Sequence, residues 1–416
     1  MPIGLLCASL AAAERHQVTS EGVDRYFWVQ VPTVAPPANG WPIVLSFHGW
    51  CGTATEQAES DGLRRRAETS AVIVHPEGYS DPTDCGDHAC SAWQSFNGGG
   101  SAGVESGGSD GPICRASDVS SDGWQCYASC KAKGYCVDKC RWSHCLDDAA
   151  FTRAILEYLR RTVSVGVDAS RIYATGHSNG AVVLYGLGAD PQTAPLLAAV
   201  APVAGLPSNG FNVGAPSNTR LRYLEVQGIN DDYVQPFPTR GSGRPDRSFS
   251  PDYGWYYSAW ENTTNLWAAQ RGVAKALRTH LQTKSDLFNC SGWNYEGSSP
   301  VVGNGTAVAT CFYDGGHSSP SASWDLVLHF FGLESGGGGS SSCASLGCGN
   351  HDETCWCNTV CEQHGDCCSD FATVCKGRCP KCGGYTCDEW IAWDPSRYSC
   401  PELERGYGCD CNGCQC

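Results

Sequence analysis

Apolar residues along this chain fall into short uninterrupted runs, separated by stretches whose apolar positions recur at helical spacing. The runs 43–47 (IVLSF) and 71–74 (AVIV) suit strands covered on both faces, and 198–204 and 221–226 read as two more strands. Residues 23–31 (VDRYFWVQV), 171–175 and 308–313 add β-branched and aromatic strand candidates. Between them, 146–161 carries Ala149, Ala150, Ile155, Leu156 and Leu159 on one helical face, and 179–187, 266–281 and 322–331 read as further helices. Strands alternating with helices predict an α/β fold, a doubly wound and mostly parallel sheet.

Two stretches break that rhythm. Residues 80–145 hold eight cysteines and many glycines with little periodicity, and a loop of that length needs crosslinks to hold it. Residues 233–257 form a second excursion rich in Pro, Gly, Tyr and Trp. The core is expected to span 20–333, followed by a flexible linker at 335–342 (SGGGGSSS). Two small modules follow, 343–375 and 379–416, with eight cysteines each. Neither buries enough apolar surface alone, so disulfides must compensate.

Charge and cysteine usage narrow the setting. A formal net charge of −15 with no Lys/Arg-rich stripe argues against a nucleic-acid partner. The basic clusters Arg64-Arg65-Arg66 and Arg160-Arg161 read as solvent faces of helices. Twenty-eight cysteines exceed what a reducing cytosol tolerates, so an exported, disulfide-bonded protein is expected. Residues 1–13, with the run IGLLCASLAAA, read as the remnant of a signal peptide. No later stretch reaches the roughly 20 apolar residues of a membrane span, so a soluble secreted product is expected.

The chemistry begins at Gly176-His177-Ser178-Asn179-Gly180, a G-x-S-x-G sequence between a strand and a helix. A sharp strand-to-helix turn there pushes the Ser178 hydroxyl out above the sheet. An alcohol needs a base to become a nucleophile. His317, in the loop Asp314-Gly315-Gly316-His317 after the last predicted strand, is placed to be that base. The imidazole needs a carboxylate to hold its tautomer. Asp231 is the choice and its neighbour Asp232 the competitor, in Gln227-Gly228-Ile229-Asn230-Asp231-Asp232. The oxygen that turns negative during acyl transfer needs donors. The backbone amides of Asn179 and Trp50 are assigned to it, with Cys51 as the alternative to Trp50. His177 is expected to line the pocket, and Tyr233, Phe237, Tyr253, Trp255, Tyr256 and Tyr257 to border it as an aromatic wall or as loop packing. No metal or cofactor is required. A Cys290–Cys311 bridge is expected beneath the His317 loop. Asn262 and Asn304 stand in N-x-[ST] sequences, glycan acceptors in a secreted eukaryotic protein.

Taken together, IVLSFHGWCG, Asp147-Asp148 at a helix start, VDASRIYATGHSNG, QGINDDYVQP and YDGGHSS resemble the secreted polyhydroxybutyrate-depolymerase and feruloyl-esterase-like α/β hydrolases over about residues 20–333. The resemblance implies Ser178 as nucleophile, Asp231 with Val234 as the acid loop, His317 as base, and a backbone donor near Trp50. Ala181 stands where that family usually has a second glycine, and the 85–145 insert is richer in cysteine than the family leads one to expect. Carboxylic esters follow as the substrate class, polyhydroxyalkanoate-type or hydroxycinnamoyl (feruloyl), with a lipase or carbohydrate acetyl esterase as the alternative. A non-catalytic adhesion or matrix protein is the reading from another class. Farther on, Cys343, Cys348, Cys355, Cys357, Cys361, Cys367, Cys368 and Cys375 have a spacing that resembles a somatomedin-B domain. That resemblance implies a disulfide knot and an extracellular protein or surface partner. Residues 379–416 match no pattern.

Overall fold

Aliphatic runs without polar interruption can lie only where both faces are covered, and the central strands do so. The structure, a computed structural model, describes residues 13–80, 91–93, 128–132, 144–163, 166–208, 216–238, 247–250 and 255–333, with short pieces between 381 and 403. The expected leader, nearly all of the cysteine-rich insert, the linker and the eight cysteines from 343 to 375 lie outside the described residues. The chain divides into two compact units, Met1–Gly336 and Gly337–Cys416.

In chain order the first unit contains β1 (Glu14–Ser20), β2 (Val23–Gln30), β3 (Trp41–Phe47), α1 (Ala54–Asp61), α2 (Leu63–Arg66) and β4 (Val72–Pro76). Next come β5 (Tyr79–Ser80), β6 (Ser91–Ala92), α3 (Ala128–Ala132), α4 (Asp148–Thr162), β7 (Val167–His177), α5 (Asn179–Ala189), β8 (Ala199–Val203) and β9 (Arg222–Gly228). The remainder is β10 (Arg247–Ser250), β11 (Trp255–Ser258), α6 (Trp260–Gln270), β12 (Thr279–Leu281), β13 (Phe288–Asn294), β14 (Thr306–Tyr313) and α7 (Ala322–Phe331).

One ten-stranded sheet runs β1-β2-β4-β3-β7-β8-β9-β14-β13-β12. From β4 to β14 neighbouring strands are parallel, while β1, β2, β13 and β12 add antiparallel margins. Side chains alternate between two apolar cores. Ile43, Leu45 and Phe47 enter one with Phe151, Ile155 and Leu184, whereas Val44 and Ile73 enter the other with Trp324, Val327 and Phe331. Helices therefore cover both faces. Helix α4 starts on the Asp147 side chain, which accepts from the Ala150 amide, and α1 starts on a Thr53/Glu56 capping box. Among the described residues no helix is long and apolar enough to cross a membrane.

Three expectations need correction. The helix expected over 266–281 is α6, which begins at Trp260 and ends at Gln270. Gly272, at φ +74°, turns the chain out of the helix, and 279–281 then pair as an antiparallel strand. Arg64-Arg65-Arg66 is no free solvent face: α2 packs Leu63 into the core, and Arg66 is buried in an ion pair with Asp325. The sheet also starts at Glu14, upstream of the expected boundary.

Candidate active site

Parallel register brings the carboxyl ends of the central strands to one edge. Phe47 pairs beside Gly176, His177 beside Val203, and Gly228 beside Tyr313. The loops that begin at His48, Ser178, Ile229 and Asp314 therefore leave from the same side. Ser178 itself sits at φ 55°, ψ −120°, a conformation that costs a residue with a side chain on the order of 1–3 kcal/mol. Its amide donates to the Val203 carbonyl at 3.0 Å, which helps to hold the turn. The flanking glycines are required by close approach. A Cβ at Gly176 would lie 2.4 Å from the Gly180 carbonyl oxygen, and one at Gly180 would lie 2.2 Å from the Phe47 oxygen.

The three side chains expected to act together do meet. The Ser178 hydroxyl is 2.8 Å from His317 Nε2, and His317 Nδ1 is 2.8 Å from Asp231 Oδ2. Asp231 is fully buried while Asp232 is exposed, so the geometry chooses between the two candidates. The Asp231 carboxylate accepts three further hydrogen bonds. Gln227 Nε2 donates to Oδ2 at 3.0 Å, and the amides of Tyr233 and Val234 donate to Oδ1 at 2.9 and 2.8 Å. A buried carboxylate is tolerable only when its lone pairs are satisfied in this way. Gln227 escaped the sequence reading; the available signal was a lone amide side chain at the end of a buried strand.

The His317 loop is fastened from several sides. Tyr313 donates its hydroxyl to the Gly316 carbonyl at 2.8 Å, and the Asn230 amide donates to the Gly315 carbonyl at 3.0 Å. A Cβ at Gly228 would lie 2.3 Å from the Gly316 oxygen, so the acid and base loops touch backbone to backbone. His177 Nε2 donates to the His317 carbonyl at 2.9 Å, and burial pushes His177 down to about 4, so it is a neutral donor at physiological pH. It holds the His317 backbone in place. The His317 ring lies between Tyr233, stacked at 4.8 Å, and His177 at 5.0 Å.

The loop after β3 passes the nucleophile: a Cβ at Gly49 would lie 3.5 Å from Ser178 Cβ. His48 is buried, and burial pushes it down to about 4. Its Nδ1–H donates to the Gly49 carbonyl at 2.7 Å, and its Nε2 accepts from the Gly78 amide at 2.8 Å. Gly52 donates to the same Gly49 carbonyl at 3.0 Å. Cys51, at φ 59°, is disulfide-bonded. Trp50, the expected donor on this loop, is 38% exposed, and Asn179 opens α5 directly after the nucleophile.

The expected aromatic wall divides. Tyr233 and Phe237 are exposed, Phe237 stacking on Phe312 at 5.3 Å. Tyr257 is buried in the β10–β11 ribbon and serves packing, because its strand lies against the 207–208 segment. The Trp255 side chain and Tyr253 lie outside the described residues. Cys290 and Cys311 face each other across β13 and β14 and are disulfide-bonded. Asn262, in the first turn of α6, and Asn304, in the turn before β14, are both exposed.

A central parallel sheet whose strand-to-helix elbow carries Ser178, with the acid and base loops leaving the same edge, is the α/β-hydrolase fold. Residues 341–378 match the family model described as the somatomedin B domain. The chain is similar to the structure of acetyl xylan esterase from Aspergillus awamori, at 13% identity and a TM-score of 0.44, over 77% of this chain and 99% of that one. It is also similar to a CE1 ferulic acid esterase from Anaeromyces mucronatus in complex with ferulic acid, at 11% identity and a TM-score of 0.36, over 80% and 93%. A third similar structure is sOPH, at 16% identity and a TM-score of 0.38, over 78% and 87%. The search of curated proteins found no match.

Proposed function

We propose that this chain is a secreted serine carboxylic ester hydrolase that works through an acyl-enzyme. The observation that carries the reading is the continuous contact Ser178 Oγ–His317 Nε2 and His317 Nδ1–Asp231 Oδ2, each 2.8 Å, on a strained elbow at the carboxyl edge of the sheet. In the first step His317 takes the Ser178 proton as the oxygen attacks the ester carbonyl. The amides of Trp50 and Asn179 receive the developing negative oxygen, a role in which one donor is typically worth about 10²–10³ in rate. The imidazolium, oriented by Asp231, then protonates the leaving alkoxide. Water, activated by the same histidine, releases the acid and restores the serine.

The substrate class we infer is an ester with an apolar or aromatic face, of the polyhydroxyalkanoate or hydroxycinnamoyl type. Four of the exposed large apolar side chains, Trp50, Ile229, Tyr233 and Phe237, belong to the two loops beside Ser178 and His317, which supports this reading. The somatomedin B match and the cysteine content support an extracellular setting, with the C-terminal modules as a docking element for a surface or protein partner.

Ser178→Ala tests the mechanism. Labelling by a serine-directed fluorophosphonate and hydrolysis of an activated phenyl ester should both vanish, with the circular dichroism spectrum unchanged. Hydrolysis at the parental rate would falsify the assignment, and absence of both signals in the parent would favour a non-catalytic binding protein. A panel of acetyl, butyryl, 3-hydroxybutyryl and feruloyl esters ranks the acyl classes, and a preference for acetyl would move the reading to an acetyl esterase.

A further inference from the structure

After β4 the short strands β5 and β6 pair as an antiparallel ribbon, with Tyr79 opposite Ala92 and Ser80 opposite Ser91. The next residue, Trp93, is fully buried. Its indole N–H donates to the His48 carbonyl at 2.8 Å, and its backbone N–H donates to Asn179 Oδ1 at 2.9 Å. The ring stands edge-on to Phe47, the last residue of β3, at 5.0 Å, and lies 5.0 Å from the His48 imidazole. One residue, through its side chain and its backbone, thus binds the start of the loop that carries Trp50 and the first residue of the helix behind Ser178. Those segments are far apart in sequence, and each supplies one backbone amide to the proposed oxyanion site.

We propose that Trp93 is a positioning residue of that site, the bridge that sets the distance between its two amides; the inference rests on the esterase reading. Two donors serve one oxygen only when both point at the same place, and a displacement of about 1 Å can cost on the order of 100-fold. On the first side, the His48 carbonyl is held by the indole, and the next carbonyl, of Gly49, is held by His48 Nδ1 and the Gly52 amide. Fixing consecutive carbonyls fixes the plane of the Gly49–Trp50 peptide, and so the direction of the Trp50 N–H. On the other side, the Asn179 side chain is tied to the Trp93 backbone, which ties the amino end of α5 to the same residue. Trp93 thereby acts on the chemistry although it contacts no reacting atom.

The test uses the full chain. Trp93→Phe keeps an aromatic ring and the backbone donor but deletes the indole N–H together with part of the buried ring; Asn179→Ala keeps the whole tryptophan and deletes the other tie, so a loss shared by both variants reports the ties and not the packing. With an activated phenyl ester, each variant should lose about 10- to 100-fold in kcat with KM within about twofold of the parent. Affinity for a boronic acid, which becomes tetrahedral on the serine, should fall by the same factor as kcat/KM. Affinity for an ether isostere of the ester, which develops no oxyanion, should not change. Parental kcat in a folded Trp93→Phe protein overturns the inference, as does an equal loss of affinity for boronate and ether. If Trp93→Phe does not fold, Asn179→Ala decides by the same readings. Failure of the esterase reading itself is seen separately, as parental hydrolysis that survives Ser178→Ala.

Discussion

Glu225 lies in β9 two positions before Gln227, on the strand that ends at the acid loop, and it is fully buried. One carboxyl oxygen accepts the Tyr223 hydroxyl at 2.7 Å, and the other has no hydrogen-bond partner. Around it stand Tyr223, Tyr185, Thr264 and, more distantly, Arg278. Burial pushes the carboxyl up from 4.5 to about 8, outweighing the Tyr223 hydrogen bond and the field of Arg278. The folded state therefore keeps a proton that the unfolded chain has lost above pH 4.5. Stability must then fall as pH rises from about 4.5 to about 8, and flatten beyond. A difference of about 3.5 units corresponds to a ceiling of about 5 kcal/mol at pH 8. Glu225→Gln removes that dependence, at a cost of about 1–3 kcal/mol for an amide whose extra donors lack partners. The variant should lie about 0–2 kcal/mol below the parent at pH 5 and exceed it by about 1–3 kcal/mol at pH 8. Denaturant unfolding followed by tryptophan fluorescence under non-reducing conditions, at pH 5, 6.5 and 8, measures this. Parallel stability profiles for the two proteins would refute the reasoning.

Three further outcomes are expected. Asp231→Asn should lower kcat on the order of 10⁴-fold by reversing the imidazole tautomer, whereas Asp232→Asn should stay near the parent; equal losses in steady-state assays would undo the choice between them. Burial holds His48 and His177 near 4, so both stay neutral and neither should add a protonation to the profile of log kcat/KM between neutrality and pH 5. A slope of two over that range would show that one of the buried rings also takes part. Replacing Cys290 and Cys311 together by serine opens a crosslink spanning 21 residues and should cost about 3 kcal/mol in unfolding measurements, with activity retained at low temperature.

What the sequence disclosed follows from how each residue is held. Strands β3, β4, β7, β8, β9 and β14 were legible because double burial leaves runs such as IVLSF with no alternation to misread. The elbow was legible because steric crowding dictates both glycines of the pentapeptide. Strand β1 was missed because ERHQVTS, lying at the sheet margin, is largely exposed and polar. Strands β12 and β13 were missed for a related reason: β12 lies at the opposite margin, and its sequence THL is short. Helix α1 carried a readable signal in Thr53 and Glu56, but its sequence ATEQAESD has no apolar stripe. Asp231 and Asp232 are adjacent residues of one turn, and only the burial of the first tells them apart. Gln227 acts on Asp231 only four residues on, but the pattern of the strand does not say that its amide turns to that carboxylate; Trp93 acts through partners 45 and 86 residues away and sits at the margin of a segment with no periodicity.

The polar groups around the proposed nucleophile are largely occupied with one another. Asp231 has four donors, the His317 carbonyl is taken by His177, and the Gly49 carbonyl by His48 and Gly52. Such occupation makes the machinery rigid, which is what an oxyanion site needs before the substrate arrives. It also decides what is left to recognise a substrate. Among the described residues of the loops beside the site, the exposed side chains include Trp50, Ile229, Tyr233 and Phe237 together with the carboxylates Asp232 and Asp314. On the esterase reading proposed above, these apolar side chains discriminate among esters by shape. An apolar pocket separates acyl groups by only about 1–3 kcal/mol per methylene. On that same reading, an apolar rim of this kind favours a family of related esters over one tightly chosen acyl group.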